Sequence, residues 1–185
     1  MSPVQDRSAA GARGVQYDRM TIALHWLTAT LIGLVWVIGQ TIDFAPSGPL
    51  RVDYRSVHIA LGVALILVVA IRVTWRLTHG RSLPGAGDAW MERVARLTHW
   101  ALYLLIAATL VLGLANVWVR GDSIFAQFTI PAFDPGNRAL RRLIGGWHAL
   151  AANAVLIVAG LHATAALFHH YVLRDGVLRR MLPMG

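Results

Sequence analysis

The chain contains no cysteine and no lysine among its 185 residues. The first absence excludes disulfides, thiolate metal ligands and covalent c-type haem attachment. The second makes all 17 basic residues arginine, against nine acids, for a net charge of +8. Charge of either sign is scarce: 14% of residues are charged, where a soluble domain carries about 25%. In a soluble chain this basic excess would suggest nucleic acid. Here the arginines cluster at the ends of apolar blocks, where they meet lipid headgroups, so no nucleic-acid partner is expected.

What is present is apolar length. Hydrophobic residues make up 56% and the mean hydropathy is +0.55. They fall into four blocks, about 21–42, 57–77, 98–119 and 147–172, each near the ~20 apolar residues needed to cross a bilayer. The expected fold is all-α: an integral membrane four-helix bundle, residues 17–185, after a mobile polar tail at 1–16. The first block is too long for the apolar core of a signal peptide, and no small-residue cleavage site follows it. Thr78 to Asp88, with Pro84 and Gly85, break the chain. Ala89 to Leu97 form a short amphipathic stretch before the third block. The connection from Arg120 to Gly146 carries Phe125, Phe128, Ile130 and Phe133 and is expected to lie on the membrane surface or cap the bundle. Eleven arginines lie in the two tails and the second connection, counting Arg72 and Arg76, and six in the other connections. The positive-inside rule then puts both termini in the cytoplasm of a bacterial inner membrane.

Seven of the eight histidines lie in or at the ends of these blocks. An ionisable side chain at membrane depth is costly and is a functional candidate. His148 and His162 are 14 residues apart, which puts them on one helical face about 21 Å apart along the axis. The face between them reads Ala152, Val155, Ala159: small residues that leave room for something broad and flat, or for close helix packing. His58, with Gly62 one turn on, begins the second block at the outer level and can meet His148. His25, one turn into the first block, can meet His162 at the inner level. Two imidazoles on opposite faces of a porphyrin iron complete its coordination, and four-helix bundles build cofactor sites from facing side chains. The candidate axial ligands are therefore His58 with His148 and His25 with His162, for two b-type haems. Depth alone also allows His25 to pair with His169, but that would separate the irons by about 31 Å, a whole bilayer thickness.

The stretches "TIALHWL", "SVHIALG", "THWALYLLI", "GWHAL" and "GLHATAALFHHYVLRDGVLRRMLP" resemble the bacterial cytochrome b561 family, and within it the small di-haem, quinone-reactive branch that includes superoxide oxidases. The resemblance covers almost everything after residue 16. It implies His25, His58, His148 and His162 as haem ligands, ubiquinone as oxidant and superoxide as a donor at the outer side. It requires no stable protein partner beside the lipid bilayer.

Other residues have two readings each. Arg138, Arg141 and Arg142 precede His148 and either anchor and pair with haem propionates or attract an anion such as superoxide. Arg51 and Arg55 add to either role. His169 and His170, near Arg174 and Asp175, either anchor at the interface or relay protons to a quinone. His99, with Trp100 and Tyr103, lines the same pocket or caps its helix. Arg72 snorkels to headgroups or holds a propionate. His79 is expected in solvent. Two other classes remain open: a di-haem anchor subunit of a hydrogenase or dehydrogenase, and a metal or proton transporter, for which the helices lack carboxylates.

Overall fold

The computed structural model describes residues 16–80, 83 and 88–182. The expected tail therefore lies outside the described residues except for Gln16, as do Pro84 and Gly85. Four long helices follow one another: α1 Arg19–Thr41, α2 Pro49–Thr78, α3 Ala89–Arg120 and α4 Arg138–Phe168. All four are long and apolar enough to cross a membrane. Local chemistry sets their ends. Asp18 caps α1, accepting from the Thr21 amide at 2.9 Å. Pro49 opens α2 at a position where its missing N–H costs nothing. Asn137 caps α4 by accepting from the Leu140 amide at 2.9 Å. Gly121 closes α3 at φ +70, and a Cβ there would meet Ala132 at 2.8 Å. Both backbone angle and space demand glycine.

The helices α2 to α4 have 30, 32 and 31 residues, about 45 Å each at 1.5 Å per residue. They outreach a hydrocarbon layer of about 30 Å. Consequently α2 starts eight residues before the expected block, α3 absorbs the amphipathic stretch and α4 starts nine residues early. The apolar blocks marked the lipid-embedded segments, not the helices, whose polar ends continue into the headgroups.

The two tails meet at one end of the bundle. The Tyr17 amide donates to the Arg180 carbonyl at 3.2 Å and Trp26 Nε1 to the Met181 carbonyl at 2.7 Å. This end is called the termini side. At the other end, strands β1 Ser123–Ile124 and β2 Phe128–Thr129 pair antiparallel, Ser123 opposite Thr129. This hairpin is tied to α2, because the Phe125 amide donates at 2.8 Å to Ser56 Oγ, and Ser56 is fully buried. The connection expected to cap the bundle is thus a β-hairpin roof, and its end is called the hairpin side.

Buried apolar side chains are few among the described residues, including Ile22, Leu24, Leu65, Ile106 and Val155, while Leu67, Val111, Ile157 and Leu161 are exposed. In lipid there is no drive to hide such side chains. Helices pack closely within two units, α1 on α2 and α3 on α4, and more sparsely between them. The histidines occupy the division between these units.

Candidate functional site

On the hairpin side, His58 of α2 faces His148 of α4, with ring centroids 6.2 Å apart and planes at 86°. Each imidazole is seated against a neighbouring helix by a missing side chain. A Cβ on Gly39 of α1 would meet His58 Cε1 at 2.9 Å, and one on Gly113 of α3 would meet His148 Cε1 at 3.1 Å. His148 Nδ1 lies 3.0 Å from the Thr109 carbonyl. The nitrogen carries the proton in that contact and donates it, which leaves Nε2 as the lone pair. His58 Nδ1 is buried against the Val35 backbone without a well-formed hydrogen bond. A cavity of about 780 Å³ surrounds this pair and reaches from Val155 and Leu65 to Arg55, Arg141 and Arg142 near the roof. Gly62 and Gly146 line it, and a Cβ on either would meet nothing within 4 Å.

On the termini side, His25 of α1 faces His162 of α4 at 6.4 Å, with planes at 72°. Arg72 of α2 donates from Nη2 to His25 Nδ1 at 3.1 Å, and its guanidinium lies 5.8 Å from the Tyr103 ring. A third imidazole joins them. His99 of α3 lies 5.3 Å from His162, edge-on at 63°. It was expected at a helix start; in fact α3 begins at Ala89, and His99 sits three turns inside.

These separations test whether the pairs suit haem iron. With one nitrogen of each ring turned inward, about 1.1 Å from its centroid, separations of 6.2 and 6.4 Å would leave roughly 4 Å between them, the length of two metal–imidazole bonds of about 2.0–2.1 Å. Both pairs fit an iron held from both sides. The His99 and His162 rings, at 5.3 Å, stand about 1 Å closer than either facing pair and meet edge-on. His169 is elsewhere: its Nδ1 donates to Asp175 Oδ2 in a π-helical turn, His169–Leu173. Among the described residues no group of three or more His, Asp or Glu is arranged to hold a bare metal ion.

The arginines divide. Arg141 and Arg142 line the cavity rim from the first turns of α4. Arg141 donates to the Pro135 carbonyl while its Nε is buried and unpartnered. Arg138 is exposed at the helix start, away from the cavity lining. Arg51 is spent on the Ala45 carbonyl, with Nε at 2.9 Å. Arg55 and Arg120 each lie 3.4 Å from Asp122, which is 7% exposed. His170 touches Tyr171 edge-on. His79, expected in solvent, is exposed at the end of α2 and stacks on Trp75 at 4.5 Å. At Asp175, partial burial would raise the carboxyl pKa, but hydrogen bonds from His169 and the Val177 amide bring it below its ordinary 3.8.

Sequence reasoning missed Gly39, Gly113, the Thr109 carbonyl and Asp122. Glycine within an apolar helix was a usable signal, since it marks close approach in membranes. A backbone carbonyl leaves no such mark.

The model of the prokaryotic cytochrome b561 family matches residues 16–184. "Probable superoxide oxidase CybB" of Yersinia pestis is 31% identical over 170 residues, covering 91% of this chain and 96% of that protein. Cytochrome b562 of Cereibacter sphaeroides is 31% identical over 172 residues, covering 90% and 94%. Cytochrome b561 homolog 1 of Escherichia coli is 29% identical over 173 residues, covering 91% and 97%. With four apolar helices and facing histidines between them, the match leaves one conclusion: this chain belongs to the prokaryotic cytochrome b561 family, bacterial membrane electron-transfer proteins built around haem b.

Proposed function

We propose that residues 17–185 form one cytochrome domain that holds two haems b and carries electrons from superoxide, on the periplasmic side, to ubiquinone. The observation that carries this reading is the pair of metal-sized gaps, one at each level of the bundle. His58 and His148 would hold one haem, His25 and His162 the other. Each haem supplies a site that stores one electron. Held by an imidazole on each side, the group would supply one-electron transfer rather than a site open to a ligand.

The chain's own groups set the rest. The termini side is cytoplasmic by the arginine count, so the roofed cavity faces the periplasm. Arg141 and Arg142 at its rim, with Arg55 and Arg120 outnumbering Asp122, draw a small anion toward the hairpin-side centre. A neutral imidazole has one lone pair, so when His25 binds iron through Nε2 its proton lies on Nδ1 and Arg72 gives up that contact. The guanidinium then stands at membrane depth as counter-charge for a cofactor carboxylate. Two superoxides yield two dioxygens and two electrons, and one ubiquinone takes these with two protons to become the quinol. His169, its Nδ1 held by Asp175, and the adjacent His170 are the groups that pass those protons from the cytoplasm.

The name of the Yersinia pestis relative supports superoxide as donor. The cytochrome b562 and b561 names of the other relatives suit equally an electron carrier within a larger complex. An absorption titration of the purified protein separates the two. We expect two haems per chain whose bands reduce on adding superoxide and reoxidise on adding ubiquinone. Bands unmoved by superoxide would leave the carrier, and a colourless protein would end both readings.

A further inference from the structure

Helices α1 and α4 belong to different units and do not pack closely on each other, yet a polar contact joins them across the seam. Trp36 Nε1 of α1 donates to Asn153 Oδ1 of α4 at 2.9 Å. Gln40 Nε2, one turn further along α1, reaches the same oxygen at 3.4 Å. Two N–H groups converging on one atom fix it as the oxygen of the amide. Both donors line the hairpin-side cavity, while Asn153 is exposed and lies outside that lining. Asn153 comes five residues after His148, about 7.5 Å along the axis, so the bridge lies between the two histidine levels. A polar group among apolar ones is costly unless it is hydrogen-bonded, and asparagines in membrane helices find that bond on a neighbouring helix.

What the bridge does follows from the neighbours of Trp36 on α1. Those neighbours make the seat of His58: the Val35 backbone lies against its Nδ1, and a Cβ on Gly39 would meet its Cε1 at 2.9 Å. Where α1 goes, the ring of His58 goes with it. Resting on the reading of His58 and His148 as axial ligands, we propose that Trp36 and Asn153 are positioning residues of the hairpin-side centre, whose hydrogen bond sets how far His58 stands from His148. The contacts close on themselves. They run from Asn153 to Trp36, along α1 to Val35 and Gly39, onto His58, across 6.2 Å to His148, and back along α4 to Asn153. The gap in such a closed frame changes only if the bridge breaks or the seat is crowded. A metal held between two imidazoles needs that constancy, because its bonds of about 2.0–2.1 Å leave little slack. Gln40, on the same oxygen, reinforces the bridge from one turn away.

The test uses the full-length, haem-loaded protein. Asn153→Leu keeps the size of the side chain and removes the acceptor, and Trp36→Phe keeps an aromatic ring and removes the N–H. Haem retention, the two midpoint potentials and the low-spin electron paramagnetic resonance signals are read, with His148→Ala serving to assign the centres. We expect Asn153→Leu to weaken retention of the hairpin-side haem about 3- to 30-fold, the range of one hydrogen bond between membrane helices. It should also move the potential and resonance signal of that centre and leave the termini-side centre unchanged. Trp36→Phe should do the same in smaller measure, since Gln40 still reaches the oxygen. Both changes remove one bridge, so the double variant should be no worse than Asn153→Leu alone. The proposal is overturned if Asn153→Leu leaves the hairpin-side signals where they were, if it moves both centres alike, or if the two effects add in full. Should Asn153→Leu fail to fold, Trp36→Phe decides by the same signals. Failure of the ligand reading is separate and visible: His148→Ala would then retain both haems.

Discussion

The two histidine pairs have nearly the same ring separation but opposite surroundings. The hairpin-side rings are gripped by backbone: glycines on α1 and α3 admit them, and a carbonyl takes the His148 proton. The termini-side rings are gripped by side chains: a guanidinium on His25 and an imidazole beside His162. Backbone contacts hold a ring rigidly, because the helix cannot rotate away. Side-chain contacts can exchange partners, as Arg72 would under the proposed ligand role of His25. The comparison contrasts a backbone-held pair on the hairpin side with a side-chain-held pair on the termini side.

The comparison breaks most completely if a ligand is removed. His148→Ala should lower haem content from two per chain to one and erase only the hairpin-side signal, and His162→Ala should erase only the other. Pyridine haemochrome content with potentiometric titration checks this. If either variant keeps two haems, the pairing is wrong.

Next in size are the glycine seats. Gly113→Val and Gly39→Val place atoms at or inside 3.1 Å and 2.9 Å of the imidazoles, and overpacking of this kind costs typically 1–3 kcal/mol. The hairpin-side haem should be lost or weakly held while the termini-side centre persists. Gly33→Ala, where a Cβ meets nothing within 4 Å, is the control and should retain both haems.

A smaller effect is expected at the roof. Asp122→Asn leaves Arg55 and Arg120 without their shared carboxylate. Those arginines are partly exposed, so the loss of stability should be only about 1–2 kcal/mol after screening. The cavity rim becomes more positive, so haem reduction by superoxide should speed up at low ionic strength and lose that gain in high salt. Stopped-flow reduction across a salt series measures it, and an unchanged rate would count against anion attraction at this rim.

The smallest effect concerns Asp175. Its carboxyl titrates below 3.8 in the folded chain, so its contribution to stability is complete above about pH 4 and is lost as pH falls through the lowered value. The stability difference between the parent and Asp175→Asn should therefore stay constant from about pH 6 to pH 4 and shrink below that. A difference that fades already near pH 5 would mean that Asp175 is not held as the structure has it.

Much of the bundle could be read from the chain because lipid imposes one simple rule: a spanning segment is a long apolar helix. That rule placed four blocks, and 3.6-residue spacing brought His148 and His162 to one face. Matching depths then paired His58 with His148 and His25 with His162, the same rings the structure brings to within 6.4 Å. Other features could not be read so. Hydropathy stops at the headgroups, so helix ends were placed too deep, and of the two roles left open for His99, lining the pocket or capping its helix, the cap is not what the structure shows, since His99 lies beside His162 three turns into α3. Arg138 was grouped with Arg141 and Arg142, although it sits one turn earlier, at the exposed start of α4, and does not line the cavity they line.

Sequence by itself determined the solvent, the helix count and the level of each imidazole, because these follow from side-chain polarity and from a fixed rise per residue. Only tertiary structure decided how far apart the rings stand, since a difference of about 1 Å between ring separations depends on how helices from distant parts of the chain approach one another. The glycines that set this approach, and the Thr109 carbonyl that orients His148, act through backbone position, and the chemical identity of a residue does not reveal where its backbone will lie.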